Sequence, residues 1–257
     1  MTTVRYAIYF VPPPDEALYR FGASALGFDC YSGKEVAGLA GDDVSVAEWR
    51  ELTAEPRRYG FHATLKAPFR LREEFGEPEL VAEFVRFAGR HAPCAGFSAS
   101  VRLLDGFAAL VPTASVAAVD LLAASCVRDF DRFRSPMTEA ERIRRLAQPL
   151  TERQIEHLDR WGYPYVFEDF RFHMSLTGRI PTDRTTPVLT FLHAALKRHP
   201  VPRNVVVGSV ALLRQDGPNT PFRVIRSRAL RNTQHRRRLR RALRRAPNTH
   251  PDHQARP

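Results

Sequence analysis

The chain has 257 residues, 44% of them hydrophobic and 26% charged, with a formal net charge of +11; this suffices for one sizeable core and excludes a disordered or fibrous chain. No apolar run approaches the roughly 18 residues of a membrane span, and the opening MTTVRYAIYFVPPP lacks the basic and apolar pattern of a leader. The three cysteines, Cys30, Cys94 and Cys126, are odd in number and have no C-x-x-C spacing, which excludes a disulfide framework and makes the cytoplasm the expected compartment.

The excess charge is concentrated at one end. From Arg228 onward ten arginines face one aspartate, a net +9. The preceding chain is close to neutral, so the charge describes a basic tail and not a nucleic-acid-binding core.

In chain order, Val4 to Val11 reads as a strand ended by Pro12 to Pro14. Asp15 is placed to cap a helix reaching Leu26. The stretch from Gly27 to Glu55 reads as loop with a short helix over Val46 to Leu52. RRYGFHATLKAPFR, from Arg57 to Arg70, alternates as a strand. Leu80, Val81, Phe84, Val85 and Phe87 then recur at helical spacing. FSASVRLLDGFAALVP predicts two strands turning at Asp105-Gly106. Helices are expected over Ser115 to Phe133, Thr138 to Ala147 and Thr151 to Trp161. FRFHMSLTGRI, from Phe170 to Ile180, is a second alternating strand. A helix over Asp183 to His199 and two strands, Asn204 to Arg214 and Phe222 to Arg228, complete the pattern. Each half thus shows a strand bearing H-x-[TS]-L, a helix and two strands, a weak internal duplication.

The two alternating strands carry the chemistry. Phe61, Ala63, Leu65 and Ala67 share one parity, and His62, Thr64 and Lys66 the other. Phe170, Phe172, Met174 and Leu176 oppose Arg171, His173, Ser175 and Thr177 in the same way. Histidine exchanges a proton near neutral pH, and a hydroxyl two residues on can donate to a phosphoryl oxygen. Two such pairs across a groove would clamp one phosphate, with His62 and His173 as general base and acid in either order and Thr64 and Ser175 as phosphate donors. The alternative is two ordinary strand histidines on solvated faces. By residue frequency the motif is expected about 0.1 times in such a chain, and it occurs twice. Neither copy has metal-ligand spacing, so neither a metal nor another cofactor is expected.

Lys66 and Thr177 extend the two faces by one step, as substrate contacts or as exposed strand ends. Arg171 shares the face of His173, and Arg58 has the equivalent spacing before His62; each could meet a phosphate or form a surface ion pair. Tyr9 could stack on a sugar or base, or pack in the core. Tyr163 and Tyr165 could rim the groove, and His91, His157, His193 and His199 read as structural. QHRRRLRRALRRA in the tail fits a short basic amphipathic helix or a solvated run, with RNA or an acidic partner as possible contacts.

The paired HATL and HMSL resemble the motifs of the 2H phosphoesterase superfamily. The longer phrases RYAIYFVPPP, PRRYGFHATLKAPFRL, CVRDFDRFRSPMT and RWGYPYVFEDFRFHMSLTG are similar to the DUF1045 family, tied to phosphonate metabolism. The resemblance spans Val4 to Arg228. It implies an α+β, bilobal fold: two antiparallel sheets flanking a central groove with pseudo-twofold symmetry, helices outside. Residues 1–228 would form that domain and 229–257 a basic, disordered tail. It also implies a metal-independent phosphodiesterase acting on a small cyclic phosphodiester of ribose or a nucleotide. The alternatives are an RNA 2′,3′-cyclic phosphate end-processing enzyme helped by the tail, and a non-catalytic phosphate-binding module. The expected partner is a small phosphorylated substrate, with RNA reached only through the tail and no membrane.

Overall fold

Tyr6 to Val11 are all buried although tyrosines alternate with aliphatic residues, so the first strand lies inside a sheet with both faces covered. Its neighbours come from distant parts of the chain. The computed structural model describes residues 4–39, 41, 44–199 and 204–231. In order, the elements are β1 (Arg5–Phe10), α1 (Ala17–Leu26), β2 (Phe28–Asp29), β3 (Lys34–Glu35), α2 (Val46–Leu52), α3 (Ala54–Arg57), β4 (Ala63–Phe69), α4 (Glu77–Arg90), β5 (Phe97–Leu104) and β6 (Phe107–Pro112). Then follow α5 (Ala117–Phe130), α6 (Glu139–Leu146), α7 (Glu152–Trp161), β7 (Met174–Arg179), α8 (Thr185–Arg198), β8 (Asn204–Val205), β9 (Ser209–Gln215) and β10 (Arg223–Ala229).

The fold is mixed α+β with antiparallel sheets. One four-stranded sheet has the order β10-β9-β1-β4 and the other β7-β6-β5-β8. The strands bearing the two motifs, β4 and β7, are each the end strand of their sheet, and they lie against each other. The sequence repeat is visible, with an exchange. The β5–β6 hairpin that follows the first motif pairs with β7, and the β9–β10 hairpin that follows the second joins β4 through β1. Helix α5 packs on β4, whereas α1, α2 and α3 pack on β7. The second motif strand, β7, is therefore held by elements of the first half of the sequence, whereas β4 is held by β1 and α5 from its own half and meets the second half through β7 and, beyond β1, the β9–β10 hairpin.

Local signals set most boundaries. Thr138 and Thr151 cap α6 and α7 through reciprocal bonds with Glu141 and Gln154, the capping box that two Thr-x-x-Glu/Gln runs encode. Asp105 and Gly106 both have positive φ, 47° and 90°, as a two-residue hairpin turn requires. Asp15 caps nothing: α1 begins at Ala17 after Glu16, whose side chain makes no capping bond. Strand β10 runs to Ala229, one residue into the expected tail; beyond Arg231 the tail lies outside the described residues. Among those described, no helix is long and apolar enough to cross a membrane.

Candidate active site

The entry to β4 is fixed by packing. Phe61 is fully buried, an anchor contributing about 1.5–3 kcal/mol. Its ring lies on α1 at Gly22, where an added Cβ would fall 2.0 Å from it, so only glycine admits this approach. Gly60 has φ +73°, and a Cβ there would also meet Cys30 at 2.6 Å. With Gly60 turned this way, its carbonyl points at the following histidine.

His62 uses that carbonyl: its Nδ1 lies 2.8 Å from Gly60 O. A carbonyl oxygen only accepts, so Nδ1 carries the proton and Nε2 is left as an acceptor. The Thr64 hydroxyl, 3.2 Å from Nε2, is therefore the donor in that pair. His173 repeats the arrangement, with Nδ1 2.8 Å from Arg171 O. His62, Thr64, His173 and Ser175 are all partly exposed, and all sit at the beginnings of the two facing end strands. The two pairs thus stand on strands that touch, and His173 is near enough to act electrostatically on His62.

The electrostatics of the two imidazoles differ. Burial pushes His62 down to about 4, His173 adds to the effect, and the Gly60 carbonyl opposes it. Burial also lowers His173, but the Arg171 carbonyl and the Asp105 carboxylate pull the other way. Both rings are neutral at pH 7 without an anion between them. Tyr9 covers one face of His62. It pairs directly with Thr64 across the ladder, and its ring stacks on His62 with centroids 3.8 Å apart and planes at 23°.

The outlying candidates fall elsewhere. Tyr9 is 1% exposed and forms the wall beneath His62, so it is not a surface for a sugar or base. Lys66 is 3% exposed and turned away from the groove, with Nζ 3.1 Å from Val127 O and 3.4 Å from Asp131 Oδ1. The ladder explains this. Tyr9 pairs with Thr64 but Ile8 pairs with Lys66, so β4 holds one extra residue just after Thr64. A β-bulge breaks the alternation on which the Lys66 expectation rested.

Strand β7 is irregular at the equivalent place: Ala109 pairs with Ser175, yet Phe107 pairs with Arg179. The Ala108 N–H left without a ladder partner donates to Thr177 Oγ1 at 2.9 Å. Thr177 is 1% exposed and mends the sheet; it contacts no groove. Arg58 donates to the Pro218 carbonyl and so ties down the β9–β10 turn. Arg171 is exposed and lines a surface depression with Arg102 and Phe170. Tyr163 is half-buried and Tyr165 exposed, their rings packed edge to face at 5.5 Å.

Several groups around the quartet were not expected. Phe107 lies 5.7 Å from the His173 ring, and Tyr59 lies 6.2 Å from His62 and stacks on Phe222. Arg102 lies opposite Ala109 on β5, which in turn lies opposite Ser175. Its position follows from the Asp105-Gly106 turn once β6 is known to pair with β7, a pairing no local signal gives.

A family profile described as "Protein of unknown function (DUF1045)" matches residues 64–223, a span that opens at Thr64 and contains the whole second motif. A ribose 1,5-bisphosphate phosphokinase PhnN of Janthinobacterium sp. (strain Marseille) is 36% identical over 221 residues, which are 85% of this chain and 49% of that protein. The protein of the same name from Laribacter hongkongensis (strain HLHK9) is 36% identical over 177 residues, 69% of this chain and 40% of that protein. The chain spans about half the length of the curated relatives it matches.

These names correct the expected reaction. They describe a phosphokinase, which overturns the cyclic phosphodiesterase along with its RNA-processing and binding-module alternatives. The expectation inferred a reaction from proton-transfer groups and phosphate donors, and those groups are common to more than one kind of phosphoryl chemistry. RNA gains no support, since most of the basic segment lies outside the described residues.

Proposed function

Because the chain belongs to the DUF1045 family, we propose that the groove between β4 and β7 is a phosphoryl-transfer site for a phosphorylated ribose, in the setting of phosphonate metabolism. The reading includes the finer architecture: two lobes related by a pseudo-twofold axis, as in the 2H superfamily, each contributing one H-x-[ST] motif. One observation carries it. Both imidazoles are locked by the same Nδ1–H to carbonyl bond, which leaves Nε2 as the accepting nitrogen of each; at His62 the Thr64 hydroxyl fills that position, and a ligand would take over both its Nε2 and the hydroxyl proton.

The chemistry follows from that pairing. In-line transfer at phosphorus needs a proton taken from the entering oxygen and one given to the departing oxygen. One imidazole accepts the first proton. The other, charged once an anion occupies the groove, supplies the second. Thr64 and Ser175 donate to the non-bridging oxygens. The ribose phosphate is taken from the names of the relatives, and because those proteins are about twice as long, the proposal concerns the substrate this portion handles.

Phosphorus NMR tests the reading. Ribose 1,5-bisphosphate is incubated with the protein, alone and with ATP, and compared with the His62→Gln/His173→Gln variant. Conversion by the wild type that the double variant slows at least about 100-fold supports the reading. Absence of conversion in both mixtures, or equal conversion by the variant, refutes it.

A further inference from the structure

We propose that the sheet face beside Ser175 holds a second anion subsite, built by Arg102 and Arg171, that selects a pentose phosphorylated at both ends over its monophosphates. This inference rests on the groove being a phosphate site, as proposed above.

Residues directly opposite in antiparallel strands share a face. Ser175 lies opposite Ala109, and Ala109 opposite Arg102, so the three form a row across β7, β6 and β5. The equivalent row in the other sheet is Thr64, Tyr9 and Ala211. The two rows are filled in opposite ways. In the first sheet the large residue stands next to the hydroxyl, where Tyr9 closes the space under His62. In the second, the residue next to the hydroxyl is alanine, and the large cationic residue stands one strand further out. A ligand clamped between the motifs therefore has room to extend only over the second sheet.

There is a cavity there. It is an open depression of about 380 Å³ at the Arg102 end of the row, with a lining that includes Arg102, Leu104, Val111, Phe170, Arg171 and Asp120. Arg171 is two residues from His173, and Arg102 lies two strand spacings from Ser175, roughly 10 Å. The long Arg102 side chain can lean its guanidinium back over Ala109 toward a ligand held at Ser175. Arg102 Nε is steadied by Ser100 Oγ at 3.3 Å, and among the described residues neither guanidinium forms an ion pair with a carboxylate. Asp120 is the one acid in the lining; burial pushes its carboxyl up, and it can accept from a sugar hydroxyl. Two arginines over an apolar floor fit a phosphate on a carbon frame.

Calorimetric titration compares ribose 1,5-bisphosphate with ribose 5-phosphate on the wild type, Arg102→Gln and Arg171→Gln, both substitutions at exposed positions. The wild type binds the bisphosphate at least about tenfold more tightly, and each variant brings that ratio to within about twofold of unity. Equal affinities in the wild type, or a ratio unchanged in both variants, overturn the subsite. Failure of the groove itself has a different signature: ribose 5-phosphate then binds the His62→Gln/His173→Gln variant as tightly as the wild type.

Discussion

His62 and His173 are held by the same bond: each donates Nδ1–H to the carbonyl two residues before it, at 2.8 Å in both cases. The carbonyls belong to Gly60 and Arg171, in unrelated local settings. One follows a short helix, and the other an irregular segment after a 3-10 turn. His91 and His199 make such a bond one turn back, to Phe87 and Ala195 at the ends of α4 and α8; His62 and His173 make it to the second residue before them at the start of a strand, and there it fixes the tautomer with Nε2 as the acceptor.

Stability should report the burial of His62. Its folded value is about 4 against an ordinary 6.5, so between these values the unfolded chain binds the extra proton. Stability is complete above pH 6.5 and falls as pH drops toward 4, by up to about 3 kcal/mol from this residue. Urea unfolding at pH 7 and pH 4.5 measures the loss, and His62→Gln removes that part of it. An unchanged pH dependence in the variant contradicts the burial argument.

Lys66 acts at the alkaline end. Burial lowers it to about 8, against the pull of Asp131. Between about 8 and 10.5 the unfolded chain holds a proton that the folded chain has lost, so stability rises with pH across that window. Lys66→Met abolishes the rise, and its stability at pH 7 is equal to the wild type or greater, because Asp131 keeps its bond to Arg134. A Met variant that still gains stability from pH 8 to 10 assigns the effect to another group.

Two glycines set the position of the first motif. Gly60→Ala forces a positive φ on a residue with a Cβ and drives that atom against Cys30, a loss of at least about 2 kcal/mol in chemical denaturation. Gly22→Ala pushes on the buried Phe61 ring and is expected to cost a similar amount. Either variant unfolding at the wild-type midpoint shows that the approach is looser than the packing implies.

Thr177 separates a structural role from a substrate role. Thr177→Val leaves the buried Ala108 N–H unpaired, a loss of about 1–3 kcal/mol, while Thr177→Ser keeps the acceptor. The measurement is the urea midpoint of both. Equal stability of Val and Ser would return Thr177 to the list of ligand contacts.

Much of this was legible in the residues themselves. The apolar parity of Phe61, Ala63 and Leu65 is the buried face, the capping boxes at Thr138 and Thr151 mark true helix starts, and Asp105-Gly106 is the turn. What failed did so where tertiary pairing overrides local pattern. The alternation through Thr64 and Lys66 looks uninterrupted, because a bulge is set by the partner strand and not by the strand that bulges. The same is true after Ser175. Of the two readings of Tyr9, packing in the core is the one realised, with His62 and Phe222 against its ring. The exchange of hairpins between the sheets leaves no local trace, and it is what puts Arg102 within reach of Ser175.

The central claim is that one phosphate sits between the two imidazoles, and nitrogen NMR of the histidine rings tests it most directly during titration with ribose 5-phosphate at pH 7. The account predicts that the Nε2 signals of His62 and His173 both shift along one binding curve with a single site per chain, one toward the protonated range and the other as a neutral nitrogen changing its hydrogen-bond partner. If only one ring responds, or the two follow separate curves, the two histidines do not share a ligand.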